Sequence, residues 1–171
     1  MTASLRIRRL APDEAPVAAL ADVLEDCVRG GASVSFMAGM TRAEAEAFWR
    51  AELAAGDGRA ILVAEDDLGI FGVVQVIPAW PPNQPHRADI SKMLVHRRAR
   101  RQGAGEALMQ AAEAEARAMG RRLLVLDTVA GGDAERLYAR LGWTKAGVIP
   151  DFALTPDGVP CATTVLYKAL A

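Results

Sequence analysis

Apolar and charged residues alternate from Leu5 to Leu10, which predicts a short first strand. Pro12 and Asp13 then open a predicted helix to Arg29, with Val17, Leu20, Leu24 and Val28 at helical spacing. Gly30-Gly31 stops it, and Ser33 to Met40 is irregular yet apolar. Thr41 begins a second helix. Glu44 stands where a capping box needs it, so that hydroxyl and carboxylate can satisfy each other's backbone amides. Gly56 to Gly58 ends this helix.

Strand patterns follow. Ala60–Glu65 and Ile70–Ile77 are apolar runs around the turn Asp66–Gly69, which reads as a hairpin. Ala79–Pro85 holds too many prolines for regular structure. Arg87–Val95 is the next strand. Gly103–Met119 is a helix with Ala104, Leu108, Ala111, Ala112 and Met119 on its inner face, capped by Gly120. Arg122–Asp127 has the composition of a buried strand, and a Gly131-Gly132 loop leads into a short helix, Asp133–Leu141. Trp143–Ile149 and Cys161–Tyr167 form a closing strand pair around the turn Pro156-Asp157-Gly158. The order β-α-α-β-β-β-α-β-α-β-β predicts an α/β (α+β) fold. Its sheet is twisted, mixed and mostly antiparallel, with helices on both faces and a single β-α-β crossover.

Length and charge narrow the class. A chain of 171 residues fits one domain, 1–171. Its 51% hydrophobic and 24% charged content allows a buried core and argues against disorder. A net charge of −1 gives no global attraction to nucleic acid or an anionic membrane, so neither is expected as a partner. Arginine supplies most of the positive charge; the only lysines are Lys92, Lys145 and Lys168. Cys27 and Cys161 fit no metal spacing, no metal site is expected, and two reduced thiols are the plain reading. No apolar run reaches membrane-span length, and Met1–Arg9 lacks a signal-peptide core, so a cytoplasmic protein is expected.

The junction from Met93 to Gly105 carries the chemistry. A strand ends at Met93-Leu94-Val95, and a helix begins near Gly103-Ala104-Gly105. Glycines let backbone N–H groups come close to a phosphate, the helix start offers unpaired N–H groups, and arginines add charge. A Walker loop is excluded, because Glu106-Ala107 follows where Lys and Ser or Thr would be required. A dinucleotide fingerprint needs a third Gly where Leu108 stands, and a tight turn where four arginines intervene. By itself the segment is also readable as a solvated, Arg-rich turn.

Arg100-Arg101-Gln102-Gly103-Ala104-Gly105 resembles the Arg/Gln-x-x-Gly-x-Gly/Ala signature of the GCN5-related N-acetyltransferases. Ala134-x-x-x-Tyr138-x-x-x-Gly142-Trp143 is similar to their second landmark. A narrower resemblance is to the tabtoxin resistance acetyltransferases, carried by Gly30–Met37, Ala64–Asp67, Leu126-Asp127-Thr128 and Thr155–Gly158. Two departures stand out: Arg97 replaces a common Pro, and Gly131 replaces an Asn that often touches the pantetheine arm.

The resemblance implies acetyl-CoA as cosubstrate and an acetyl transfer to an amine or hydroxyl of a small-molecule acceptor, β-lactam toxins and antibiotics among the candidates. The implied mechanism is direct attack in a ternary complex. It assigns the pyrophosphate to the amides of Arg101, Gln102, Gly103, Ala104 and Gly105, with Arg100 as charged partner and Ala134 also on the cofactor. Met93, Leu94 and Val95 would offer backbone groups to the pantetheine. By the resemblance Tyr138 would be the general acid that protonates the leaving thiolate, whereas residue chemistry alone favours a tyrosine packed on the sheet. For the general base the sequence leaves Asp127 and Asp89 open; Asp127 also reads as a turn acceptor and Asp89 as a surface charge. His96 reads as a loop residue. Candidate acceptor walls are Gly31, Ser33, Phe36, Trp80 and Phe152. A silent CoA-binding sensor and a protein-acetylating enzyme remain alternatives, and relatives often pair, which makes a homodimer the oligomer to test.

Overall fold

The structure, a computed structural model, describes residues 5–171; residues 1–4 of the expected domain lie outside the described residues. The elements are β1 (Arg6–Arg9), α1 (Val17–Arg29), α2 (Arg42–Leu53), β2 (Ala60–Asp66), β3 (Gly69–Pro78), β4 (Arg87–Val95), α3 (Ala104–Ala118), β5 (Leu123–Val129), α4 (Asp133–Arg140), β6 (Thr144–Leu154) and β7 (Pro160–Ala169). One seven-stranded sheet runs β1-β2-β3-β4-β5-β7-β6. Only the β4–β5 pair is parallel; α3 is its crossover.

Helices cover both faces, which explains why β2 and β3 read as unbroken apolar runs and not as alternating ones. On one face α1 and α2 bury Leu20, Leu24 and Trp49 against Ile61, Val63 and Val73. On the other, α3 and α4 bury Leu108, Met109 and Tyr138 against Leu62, Val74 and Leu126. Gly72 lets α3 approach β3 closely: an added Cβ would stand 3.0 Å from the Leu108 side chain. Glu113 of α3 is buried and accepts from Trp143 Nε1 at 3.1 Å and from Lys168 Nζ at 2.8 Å, tying α3 to both ends of the closing hairpin.

The capping box at Thr41 and Glu44 forms as expected. The first helix does not begin at Pro12. Pro16 bars its predecessor Ala15 from helical conformation, so α1 starts at Val17. The preceding turn is held instead by Glu14, whose carboxylate accepts from the Ala11 amide at 2.6 Å and from Arg8 at 2.9 Å.

Two irregularities shape the site. β4 and β5 pair only through Arg87–Asp89 against Leu123–Val125; beyond that, both strands continue toward their carboxyl ends without a shared ladder. A bulge also interrupts β4 against β3, where Val73 faces Leu94 but Gln75 faces Ser91. Lys92 sits in it with φ 50. The bulge turns the strand over, so Ala88 and Ile90 face α3 whereas Leu94 faces α1.

Candidate active site

The phosphate-loop candidate is built at the carboxyl end of β4. His96 N–H bonds Phe71 O at 2.8 Å, a short 3-10 turn covers Arg97–Ala99, and α3 opens from Gly103 in the left-handed conformation, φ 80. No side chain caps α3. Among the described residues, the amides from Arg101 to Gly105 find no hydrogen-bond acceptor. A row of unpaired N–H groups at a helix start is an anion cradle. The two glycines serve different needs. Gly103 supplies the positive φ, whereas a Cβ on Gly105 would lie 3.1 Å from Leu137 of α4, so Gly105 lets two helices touch.

The arginines divide their work. Arg97 is engaged by Asp26 of α1, which also accepts from the Arg97 amide at 2.8 Å. Burial opposes ionisation of Asp26, but these bonds and the nearby His96 hold its carboxyl below the ordinary aspartate range. Arg98 binds Asp66 at 2.7 Å and stacks over Phe71. Arg100 turns inward to Val95 O at 3.0 Å, and Arg101 makes no ion pair among the described residues. Three arginines, Arg97, Arg98 and Arg100, therefore build the loop, and Arg101 is its uncommitted charge.

Next to the loop, the parted ends of β4 and β5 leave a wedge. Met93 touches the space beside Gly105, and Ala134 packs at the start of α4. Tyr138 is 5% exposed, with its ring 5.9 Å from that of Trp143. Burial foremost, and then the charge of Asp127, push its phenol well above the ordinary tyrosine range. It is therefore a neutral O–H donor at physiological pH.

Asp127 is exposed on the opposite side, in a cleft of about 320 Å³ lined by Ser33, Ser35, Phe36, Met37, Asp127, Thr128, Val129, Phe152, Ala153, Leu154, Cys161, Ala162 and Thr163. Thr163 Oγ1 lies 3.0 Å from an Asp127 carboxylate oxygen and from Thr128 O, and its one proton is shared between them. Two bonds join the cleft walls across a long stretch of chain: Ser33 Oγ to Leu154 O, and Ala38 N to Pro156 O, both 2.8 Å.

Ser33, Phe36, Phe152 and Asp127 are thus brought together. Gly31 and Trp80 are not. Gly31 ends α1 with φ 89 outside the cleft, and Trp80 is 90% exposed. The Trp80 loop closes against the start of β5, where Arg122 N bonds His86 O at 2.7 Å, at the far end of the strand from Asp127. Asp89 stands in register with Val125, at the paired base of the wedge, and is held by Arg87 at 2.5 Å. The sequence gives Lys92 no evident site role, and Ser35 falls within the Gly30–Phe36 stretch read as a candidate wall. Lys92 Nζ lies 3.3 Å from Ser35 Oγ and 5.5 Å from the centre of the Phe48 ring. Outside glycine, the described residues with left-handed backbone are Ser35, Lys92, Arg101 and Asp151. All lie in the phosphate loop, in the cleft or next to it, where such strain, roughly 1–3 kcal/mol each, is characteristically retained for function.

Among the described residues no helix is long and apolar enough to cross a membrane.

Solved structures share this architecture. yncA of Salmonella typhimurium, solved with its cofactor acetyl-CoA, is 20% identical with TM-score 0.80, covering 98% of this chain and 95% of its own. An N-acetyltransferase from Staphylococcus aureus Mu50 is also 20% identical with TM-score 0.80, over 98% and 99% of the two chains. A GCN5-related N-acetyltransferase from Kribbella flavida is 24% identical with TM-score 0.80, over 97% and 98%. At these identities the likeness speaks for the fold. The family model of the GNAT acetyltransferases matches residues 18–143, from the first turn of α1 to Trp143, and takes in the phosphate loop, the parted strands and Tyr138. By that match the chain belongs to the GNAT acetyltransferase family.

Proposed function

We propose that this protein transfers the acetyl group of acetyl-CoA to the amine of a small-molecule acceptor, both substrates being bound together. The observation that carries the reading is the run of unpaired amides from Arg101 to Gly105 opening α3 beside two parted parallel strands. It suits a diphosphate, with Arg101 as the available cation. When bound, acetyl-CoA supplies an activated thioester.

The remaining roles fall to side chains already described. The backbone of Met93, Leu94 and Val95, with Ala134 opposite, would hold the pantetheine arm in the wedge. Asp127 would take a proton from the attacking amine, directly or through water, because its carboxylate faces the cleft, within hydrogen-bond reach of Thr163. Asp89 is the weaker base, since Arg87 already occupies it. Tyr138 Oη would give its proton to the departing sulfur; its burial keeps that proton in place until it is needed. The Ser33–Leu154 and Ala38–Pro156 bonds join the walls of the cleft, and its modest size favours a small acceptor over a peptide.

The test is calorimetric titration with CoA, followed by thiol release from acetyl-CoA across amines, amino acids and β-lactams. Saturable CoA binding together with acceptor-dependent release is expected. Binding without release for any acceptor would leave a CoA-sensing protein; absence of binding would remove the reading altogether.

A further inference from the structure

Lys92 is the residue the chemistry above leaves unused. The bulge in β4 directs its side chain to the α1–α2 face, where the ammonium lies 3.3 Å from Ser35 Oγ, a cleft-lining hydroxyl. Each of the other two lysines has a carboxylate partner: Lys145 meets Glu135 at 3.3 Å, and Lys168 meets Glu113 at 2.8 Å. Lys92 has none within salt-bridge reach among the described residues. Its immediate company is a hydroxyl and the face of Phe48. Burial pulls its pKa below the ordinary lysine value, while the more distant charges of Glu52 and Asp127 oppose this. A half-buried cation without a contacting counter-ion is costly, and an anion delivered by a ligand would relieve it.

The cleft carries the Asp127 carboxylate on β5, and the Lys92 ammonium stands directly behind its Ser35 wall. Phe36, Met37, Phe152 and Leu154 supply apolar wall. We propose that Lys92, with Ser35, receives the carboxylate of an acceptor whose amine is presented to Asp127, so that the acceptor class is a small apolar α-amino acid or a close analogue. This rests on the transferase reading for what happens to the amine, but not for the binding of the carboxylate.

The experiment measures acceptor binding to the CoA-loaded protein by calorimetry, alongside thiol release from acetyl-CoA. The probes are L-phenylalanine against phenethylamine and L-leucine against isopentylamine, pairs that differ only in the carboxylate. At least one amino acid is expected to bind about tenfold tighter than its amine to the native protein. Lys92→Met removes that difference, Lys92→Arg keeps most of it, and both variants bind CoA as the native protein does. Equal binding within each pair, or a preference that survives Lys92→Met, overturns the proposal. So does failure of every probe to bind. Should Lys92→Met not fold, 3-phenylpropionate is titrated against the native protein; failure to displace the amino acid overturns the proposal equally. Carboxylate-dependent binding with no thiol released would sink the transferase reading and leave Lys92 standing. Acetylation of the bare amines as readily as of the amino acids would do the reverse.

Discussion

In the proposed reaction Tyr138 would donate a proton, and its surroundings suit a donor that must not leak. Its ring packs beside that of Trp143 in the core, its burial keeps the phenol protonated, and Asp127 adds a negative charge that further discourages ionisation. Replacement by Phe keeps the ring packing and removes only the O–H. Tyr138→Phe is expected to lower kcat about ten- to a hundredfold, toward the small end of general-acid effects, with CoA affinity unchanged. Rates measured at saturating substrate and compared with calorimetric CoA binding check this; an unaltered kcat would return Tyr138 to a packing role.

Single elements reveal where one-dimensional patterns inform and where they stop. The capping box at Thr41, the glycine stops and the strand-to-helix signature at Arg100–Gly105 were legible because each is a local rule, satisfied within a few residues. The onset of α1 was misplaced because Pro12 and Asp13 look like a helix start, while Pro16 dictates the outcome. β4 held a signal that went unread. As an uninterrupted strand it would set Lys92 on the same face as Ala88 and Ile90, pressing an ammonium beneath α3; a bulge is the way out. The cleft walls were only half legible. Phe36 and Phe152 are brought to one cleft by bonds such as Ser33 to Leu154, which no periodicity encodes, whereas Trp80 fits an acceptor wall by its type and not by its place. β3 offers its own test. Gln75 is fully buried, and both ends of its amide lack a partner among the described residues. Gln75→Met fills similar space without that cost and is expected to stabilise the fold by about 1 kcal/mol. Thermal melting measures it, and a lower Tm would mean that the amide is in fact satisfied, for instance by buried water.

Across the whole molecule, a seven-stranded sheet parts in its middle, between β4 and β5, and side chains from both layers converge there. α1 reaches under the strand-to-helix loop through Asp26, so the layer against which Phe36 packs also braces that loop. The hairpin β6–β7 closes the arrangement. β6 lies at the sheet edge and is exposed along nearly all its length, with Val148, Ile149, Phe152 and Leu154 among its apolar side chains.

The parted strands have a kinetic consequence. With Tyr138 and the amide cradle on one side of the opening and the Ser33–Phe152 hollow on the other, the proposed roles give donor and acceptor separate doorways. Neither needs to leave before the other arrives. Initial velocities plotted in double-reciprocal form against acetyl-CoA, at several fixed acceptor levels, should therefore give lines that intersect. Parallel lines, the mark of an enzyme that stores the acetyl group on itself between visits, would mean that the two doorways are never in use at once.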